Sequence, residues 1–145
     1  MATIKDILAI KGPMVRSVHP DTSVLDAALL MNEHKIGAAL VIDNDCIVGM
    51  FTERDILRRI VAEERAPATT LVRDVMSTEV ACCTPQTSVE EARAAMKNRR
   101  IRHLPVVDGE GRLLGMISIG DLNAYEAHDH ELTIHILEEY IHGRA

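Results

Sequence analysis

The strongest constraint on the fold is an internal repeat, because the chain carries one sequence pattern twice. Residues 49–55 read GMFTERD and residues 115–121 read GMISIGD. Each copy is a glycine, an apolar strand, a hydroxyl residue, two variable positions and an aspartate. Further identities recur at a spacing of 65 residues upstream of this motif: Pro20/Pro85, Thr22/Thr87, Ser23/Ser88, Val24/Val89, Ala27/Ala92, Met31/Met96, Ile36/Ile101, Val41/Val106 and Asp43/Asp108. A repeat of this length indicates two copies of one supersecondary unit.

The hydrophobic periodicity within each copy predicts the order β-α-β-β-α, and hence an α/β (α+β) fold. A unit of about 60 residues is marginal alone. We therefore expect two units, related by a pseudo-twofold axis, to pack into one module. The predicted boundaries are 1–62 for the first unit with its lead-in, 63–70 for a linker, 71–126 for the second unit and 127–145 for an extra C-terminal helix.

Composition argues against several classes of function. A net charge of −6 disfavours a nucleic-acid partner, and no apolar run approaches the ~20 residues that span a membrane. The N-terminus shows no signal peptide, so a cytoplasmic location is expected. No nucleophile–histidine motif, phosphate-binding glycine loop or metal cluster is found, which predicts a protein that is not an enzyme and needs no metal. The three cysteines show no CxxC spacing and are predicted to be reduced and packed.

Two hydroxyl–aspartate pairs, Thr52 with Asp55 and Ser118 with Asp121, stand where a strand gives way to a helix. An ionised carboxylate can accept both hydroxyls of a ribose, and a helix N-terminus keeps it ionised. The same spacing is also that of a helix-capping box, which requires no ligand. The two interpretations are compatible, and the spacing alone does not decide between them.

The pattern Pro-x-Thr-Ser-Val, Pro-Val-Val-Asp and Gly-Met-Ile-Ser-x-x-Asp, complete in the second copy, resembles the tandem CBS (cystathionine-β-synthase) domain family, whose two-copy unit is the Bateman module. The first copy departs from it at Leu40, which stands in place of the proline. The resemblance covers about residues 3 to 125 and is to the stand-alone type. It implies a regulatory, signal-transducing module that binds adenine nucleotides in a cleft between the two units. AMP is the first expectation, with ATP, ADP or NAD as further possibilities. The alternative is an interaction module whose job is dimerisation and whose ligand pockets are vestigial.

In the family each site combines residues of both copies. One expected site comprises Ser118, Gly120 and Asp121 with Ile36, Gly37 and Ala38, closed by Val15 and Arg16. The other comprises Thr52, Arg54 and Asp55 with Ile101, Arg102, His103 and Pro105, closed by Ser77, Val80 and Ala81. The sites are not expected to be equivalent, because Gly37 and Ala38 carry no charge where Arg102 and His103 stand in the second copy.

Arginine and histidine suit a phosphate, so Arg54, Arg102 and His103 are predicted phosphate contacts, with a solvated charged rim as the alternative. Lys11 and Lys35 are weighed as further phosphate contacts, but a solvated surface lysine is the favoured interpretation of each.

A homodimer and an unidentified regulated protein partner complete the expectations. Apolar residues of the last helix in each copy, and of residues 127–141, are predicted to lie at a dimer surface: Ile56, Ile60, Leu122, Tyr125, Leu132, Ile136 and Tyr140. His128, His135 and His142 recur every seven residues, which favours a polar stripe over a metal site.

Overall fold

The computed structural model describes residues 2–129, which fall into two compact units. The first-repeat unit is Met14–Ala81. The second-repeat unit consists of residues 2–13 and 82–129. In chain order the described elements are α1 Ile4–Lys11, β1 Ser17–Val18, α2 Val24–His34, β2 Ala38–Asp43, β3 Cys46–Thr52, α3 Glu53–Asp55 with a π-helical continuation Ile56–Val61, α4 Val72–Val75, α5 Val89–Arg99, β4 His103–Val107, β5 Leu113–Ser118 and α6 Ile119–Asp129. The predicted mixed α/β fold and its repeated order are confirmed.

The sheet of the first-repeat unit has the order β1-β2-β3. β1 runs parallel to β2, and β2 pairs antiparallel with β3, so that Ala38 lies opposite Thr52. Asn44 and Asp45 form the hairpin turn with φ of 50° and 63°, as a two-residue turn of this kind requires. The β2–β3 hairpin thereby brings the start of β2 beside the end of β3, where the hydroxyl–aspartate motif begins.

The core of this unit is formed by residues of the β2–β3 hairpin and of the helices packed against it. α2 contributes Val24, Ala27 and Met31, spaced three and four residues apart on one face. Phe51 of β3 is fully buried among them. The predicted linker also belongs to this unit: the carbonyls of Pro67 and Thr70 accept hydrogen bonds from the first amides of α2 at 3.0 and 2.8 Å. These contacts satisfy donors that a helix N-terminus leaves without partners.

The second-repeat unit repeats the hairpin, with β4 antiparallel to β5 and His103 opposite Ser118. Cys83 forms a parallel bridge to Val106 and occupies the repeat position of Val18 in β1. It is buried, and burial, together with the neighbouring Cys82, raises its pKa to about 11. All three cysteines are free, as predicted; Cys83 is also packed, whereas Cys46 and Cys82 are exposed, so the prediction of packing is wrong for these two.

The compact units do not coincide with the sequence repeats at their ends. α1 lies within the predicted first unit, residues 1–62, yet Ile4 and Ile7 are buried in the second-repeat unit, where the Ile4 amide bonds the Thr87 carbonyl at 2.9 Å. α4 lies within the predicted second unit, residues 71–126, yet Val72 and Val75 complete the core of the first-repeat unit. The unit in which each short helix packs is therefore set by its buried apolar residues and not by its position in the sequence repeat.

The predicted surface residues of the helix that follows each motif need correction. Ile60 and Leu122 are 1% and 0% exposed and belong to the interior. Leu57 and Val61 are exposed instead, at 61% and 63%. For Ile60 the π-helical turn of residues 56–61 changes the angular spacing on which a 3.6-residue pattern depends, whereas Leu122 is buried in the regular helix α6. Tyr140 and the other predicted positions beyond residue 129 lie outside the described residues.

The glycines that open the two motifs provide a matched test of close packing. A Cβ at Gly49 would lie 2.6 Å from the Met76 sulfur and 2.9 Å from the Ser77 carbonyl oxygen. That carbonyl is fixed by its hydrogen bond from the Met50 amide. A Cβ at Gly115 would meet only a methyl end of Leu8 at 2.8 Å, which a rotation can relieve.

Gly49→Ala is therefore expected to destabilise the protein by about 1–3 kcal/mol, the usual cost of overpacking. Gly115→Ala should cost clearly less. Urea denaturation of both variants and the wild type measures the two free energies of unfolding. Equal losses would contradict the role of the fixed Ser77 carbonyl.

Candidate functional site

The motif of the first-repeat unit forms a complete capping box. The Asp55 amide donates to the Thr52 hydroxyl at 3.3 Å, and the Thr52 amide donates to Asp55 Oδ2 at 3.0 Å. The Thr52 hydroxyl also lies 3.2 Å from the same carboxylate oxygen. The capping interpretation is thus confirmed for this copy, and the carboxylate is fixed at the end of β3.

The other oxygen of Asp55 is engaged as well. Oδ1 accepts a hydrogen bond from the Ser77 hydroxyl at 3.3 Å, and the Asp55 side chain is only 8% exposed. Ser77 is held in place because it exchanges two backbone hydrogen bonds of 2.9 Å with Met50 of β3. The structure therefore brings Ser77 to Asp55, as the predicted site requires, and at the same time covers the carboxylate.

Arg59 is a neighbour of Asp55 that the sequence analysis missed. Its Nε lies 4.0 Å from Asp55 Oδ1, and its Nη1 donates to the carbonyls of Val75 and Met76 at 3.0 and 3.2 Å. The available signal was the four-residue spacing from Asp55, at which helical side chains meet. Arg59 ties the motif to the C-terminal end of α4.

The motif of the second-repeat unit is capped in the same way. The Ser118 amide donates to Asp121 Oδ2 at 2.8 Å, and the Asp121 amide donates to the Ser118 hydroxyl at 3.1 Å. The surroundings differ, because here Lys11 of α1 approaches the carboxylate. Its Nζ lies 2.6 Å from Asp121 Oδ2 and 2.7 Å from the Met116 carbonyl oxygen. Lys11 is an exposed residue, as expected of a surface lysine, but its ammonium is paired with Asp121.

Asp121 remains more accessible than Asp55, with 25% of its side chain exposed. Burial would raise the pKa of Asp121, but the hydrogen bond from Lys11, the Ser118 amide and the lysine charge outweigh burial and hold the pKa below its usual value. The carboxylate is consequently ionised at neutral pH and can accept hydrogen bonds.

A cavity of about 590 Å³ lies beside this carboxylate within the second-repeat unit. It is bounded by α1 and α6, and its lining residues are Ile7, Ile10, Lys11, Asp121, Ala124 and Tyr125. The walls are apolar except for the Lys11–Asp121 pair. Asp121 therefore faces open space, which the buried Asp55 does not.

The strand starts that were predicted to contribute to the two sites lie beside the strand-to-helix junction of their own repeat. The Gly37 carbonyl accepts from the Glu53 amide at 3.0 Å, and the Arg102 carbonyl accepts from the Ile119 amide at 2.8 Å. A Cβ at Gly37 would lie 3.3 Å from the Glu53 carboxylate, so a glycine suits this close approach.

The remaining predicted site residues fall into three groups by exposure. Arg54, Arg102 and Gly120 are exposed; Val15, Arg16, Ile36, Val80, Ala81, Ile101 and His103 are half-buried; Ala38 and Pro105 are buried. The Arg16 carbonyl binds the Leu40 amide and the Pro105 carbonyl binds the Cys83 amide, so these two residues also support the sheets. Each predicted site draws on both units, and its assembly stays a prediction.

Within residues 2–129, no group of three or more histidine, cysteine or acidic side chains is arranged to hold a metal ion. Likewise, none of the helices described there is long and apolar enough to cross a membrane.

Comparison with known proteins agrees with the repeat. A sequence model of the CBS domain matches residues 4–62 and 72–128. The CBS domain-containing protein YhcV of Bacillus subtilis is 38% identical over 84% of this chain and 84% of its own length. A solved CBS-domain protein from Burkholderia ambifaria is 42% identical, with a TM-score of 0.85 over 88% of this chain and 96% of that one. A hexameric CBS-CP12 protein from bloom-forming cyanobacteria is 29% identical, with a TM-score of 0.73 over 83% of this chain and 65% of that one.

The lowered pKa of Asp121 predicts how its contribution depends on pH. Because the folded pKa lies below the unfolded value of about 3.9, ionised Asp121 stabilises the protein fully above that value. The stabilisation is lost as the pH falls through the folded pKa. Asp121→Asn keeps a side-chain acceptor but loses the charge, so it should be less stable than the wild type at pH 7 by up to about 1 kcal/mol, the range of a partly exposed ion pair. In urea denaturation at decreasing pH the difference should shrink below about pH 4; a difference independent of pH would contradict the assignment.

Proposed function

Because the chain belongs to the CBS domain family, whose modules are regulatory and often bind nucleotides, we propose that it is a signal-transducing module that binds an adenine nucleotide. AMP is the first candidate ligand, with ATP, ADP and NAD as others of the same class. The nucleotide acts as a regulatory ligand that shifts the population of conformations sensed by a protein partner. The proposal includes no catalysis, no metal, no nucleic acid and no membrane contact, and it places the protein in the cytoplasm.

The observation that carries this proposal is the state of Asp121. Its carboxylate is ionised, fixed by a capping box and open to a cavity of about 590 Å³. A carboxylate so placed suits the two vicinal hydroxyls of a ribose, which it can bind one on each oxygen. A cap alone would need neither the accessibility nor the cavity.

The phosphate is assigned to the arginines near the two motifs. Arg54 lies between Thr52 and Asp55, and Arg102 lies next to His103, which pairs with Ser118. Arg54 and Arg102 are exposed, as a group that binds an anion from solution must be. One guanidinium group can donate two parallel hydrogen bonds to two oxygens of the same phosphate. A sulfonium ligand such as S-adenosylmethionine carries a positive charge and is disfavoured beside them.

A thermal-shift and calorimetric scan of AMP, ADP, ATP, NAD and S-adenosylmethionine tests the function directly. We expect at least one phosphate-bearing adenine nucleotide to raise the melting temperature and S-adenosylmethionine to bind more weakly. Tight binding of S-adenosylmethionine without any nucleotide binding would refute the ligand class. A chain that binds none of the five would favour the alternative, a dimerisation module with vestigial pockets.

Substitution of each aspartate measures its contribution to ligand affinity separately from its contribution to helix capping. Asp121→Ala and Asp55→Ala should each weaken nucleotide binding at one site by roughly 1.5–3 kcal/mol, the value of a hydrogen bond to a charged group. Each should also lose about 1 kcal/mol of stability with its cap. The effect is expected to be clearer for Asp121, since Asp55 is covered by Ser77.

Matched controls exist in both units, because α2 and α5 carry caps of the same type outside the predicted sites. Glu91→Ala disrupts the Ser88–Glu91 box of α5, and Ser23→Ala removes the Ser23–Asp26 cap of α2. These variants should lose stability and keep full nucleotide affinity. If the aspartate variants behave like these controls in calorimetry, the motifs are caps only.

The proposed homodimer rests on exposed apolar side chains of the first-repeat unit. Leu57 and Val61 lie one turn apart and are 61% and 63% exposed. Large exposed apolar residues in one patch are typical of protein interfaces, and the CBS-CP12 relative is a hexamer.

Sedimentation of the full chain at micromolar concentration should show a dimer that the double variant Leu57→Glu with Val61→Glu dissociates. Leu29→Glu on α2 serves as the control, because Leu29 is similarly exposed at 56%. A truncation after Glu126 tests the predicted contribution of the C-terminal residues. A monomeric full-length protein would rule the dimer out.

A further inference from the structure

The Lys11–Asp121 pair is a feature that the proposed function leaves unexplained. Lys11 is the last residue of α1, and its ammonium reaches a carboxylate 110 residues away in the sequence. The distance of 2.6 Å is that of a charge-assisted hydrogen bond. A second bond of 2.7 Å to the Met116 carbonyl fixes the ammonium against the end of β5. A surface lysine has no need of either contact.

The hydrogen-bond capacity of the carboxylate shows what this contact does. Each carboxylate oxygen accepts about two hydrogen bonds. Asp121 Oδ2 already accepts two, from the Ser118 amide at 2.8 Å and from Lys11 at 2.6 Å. Among the described residues, no hydrogen bond to Oδ1 is found. A vicinal diol that uses both oxygens therefore has to displace one of the two donors at Oδ2.

The two donors differ in how easily they leave. The Ser118 amide belongs to the backbone and is held by the capping box and by the pairing of Ser118 with His103. Lys11 is a flexible side chain, 34% exposed, that can swing into solvent at little cost. The diol and the Lys11 ammonium consequently compete for the same oxygen.

We infer that Lys11 is a latch on Asp121: its ammonium occupies the ribose-accepting oxygen in the free protein, and a bound nucleoside releases it. This inference rests on the proposed function, since it takes Asp121 as the ribose acceptor. Release of Lys11 breaks the hydrogen bonds that connect the end of α1 to β5 and α6. Two residues later the chain leaves the second-repeat unit, so the latch lies at a covalent connection between the units.

The motif of the first-repeat unit provides the internal contrast. At Asp55 the charged neighbour is Arg59, whose Nε lies 4.0 Å from Oδ1, beyond hydrogen-bond distance, and the additional donor is the neutral Ser77 hydroxyl at 3.3 Å. Lys11 is hydrogen-bonded to the oxygen of Asp121 that the diol needs, whereas Arg59 donates to main-chain carbonyls instead. Displacement of a charged, directly bound donor is therefore specific to the Asp121 site.

The test measures adenosine binding by calorimetry in the Asp55→Ala background, so that only the Asp121 site reports. Adenosine is used because it carries the diol without a phosphate, and any attraction between Lys11 and an anion is then absent. Lys11→Met should bind adenosine about two- to fivefold more tightly, the range that a partly exposed ion pair covers. Lys5→Met, at an exposed position on the same helix, should leave the affinity unchanged.

A salt titration of adenosine binding is a second readout, in which the protein with Lys11 is compared with Lys11→Met. Adenosine affinity should rise as added salt screens the Lys11–Asp121 pair, and the Lys11→Met protein should not show this rise. An increase in the affinity of an uncharged ligand with salt is not expected from ligand contacts alone.

The outcomes distinguish the latch from the function on which it rests. If adenosine binds equally to the protein with Lys11 and to Lys11→Met, and Asp121→Ala still abolishes binding, the function stands and the latch is refuted. Weaker binding to Lys11→Met would make Lys11 a ligand contact, which also refutes the latch. If neither protein binds adenosine or any adenine nucleotide, the proposed function fails and the latch fails with it.

Discussion

The structure of both candidate sites depends on one local interaction, the exchange of hydrogen bonds between a hydroxyl residue and an aspartate three positions later. At Thr52–Asp55 and at Ser118–Asp121 this exchange ends a strand and starts a helix. It satisfies amides that a helix N-terminus would leave without partners. It also holds a carboxylate oxygen in a fixed direction at the end of a β-hairpin. The proposed ribose-binding group and the structural cap are therefore the same side chain, so under this proposal stability and ligand affinity change together at these positions.

The two strand-to-helix junctions differ because different side chains from other parts of the chain contact the two aspartates. Ser77 and Arg59 approach Asp55, which is buried. Lys11 approaches Asp121, which stays partly exposed beside a cavity. The helix after Asp55 continues as a π-helix, whereas α6 is regular. A duplicated motif thus provides two unequal environments, one with a covered carboxylate and one with a carboxylate beside a cavity.

The segments that create this inequality lie outside the repeated motif. α1 brings Lys11 to the second repeat, and residues 71–81 bring Ser77 to the first. Buried apolar residues on these segments, Ile4 and Ile7 on α1 and Val72 and Val75 on α4, anchor them. Core packing therefore decides which polar side chain arrives at each carboxylate. The energetic cost of exposing those aliphatic residues keeps each segment with its unit.

The sequence by itself determined the repeat, the βαββα order, the hairpins and the capping boxes, because each of these depends on residues within a few positions of one another or on identities at a constant spacing. It also identified Thr52, Asp55, Ser118 and Asp121 as the residues of interest. Only the tertiary structure showed that Lys11 binds Asp121, that Arg59 approaches Asp55, and that Ile60 and Leu122 are buried. The first of these contacts joins residues 110 positions apart, and no local pattern specifies such a partner. The burial of Ile60 follows a π-helical turn, which changes the spacing that a helical pattern assumes.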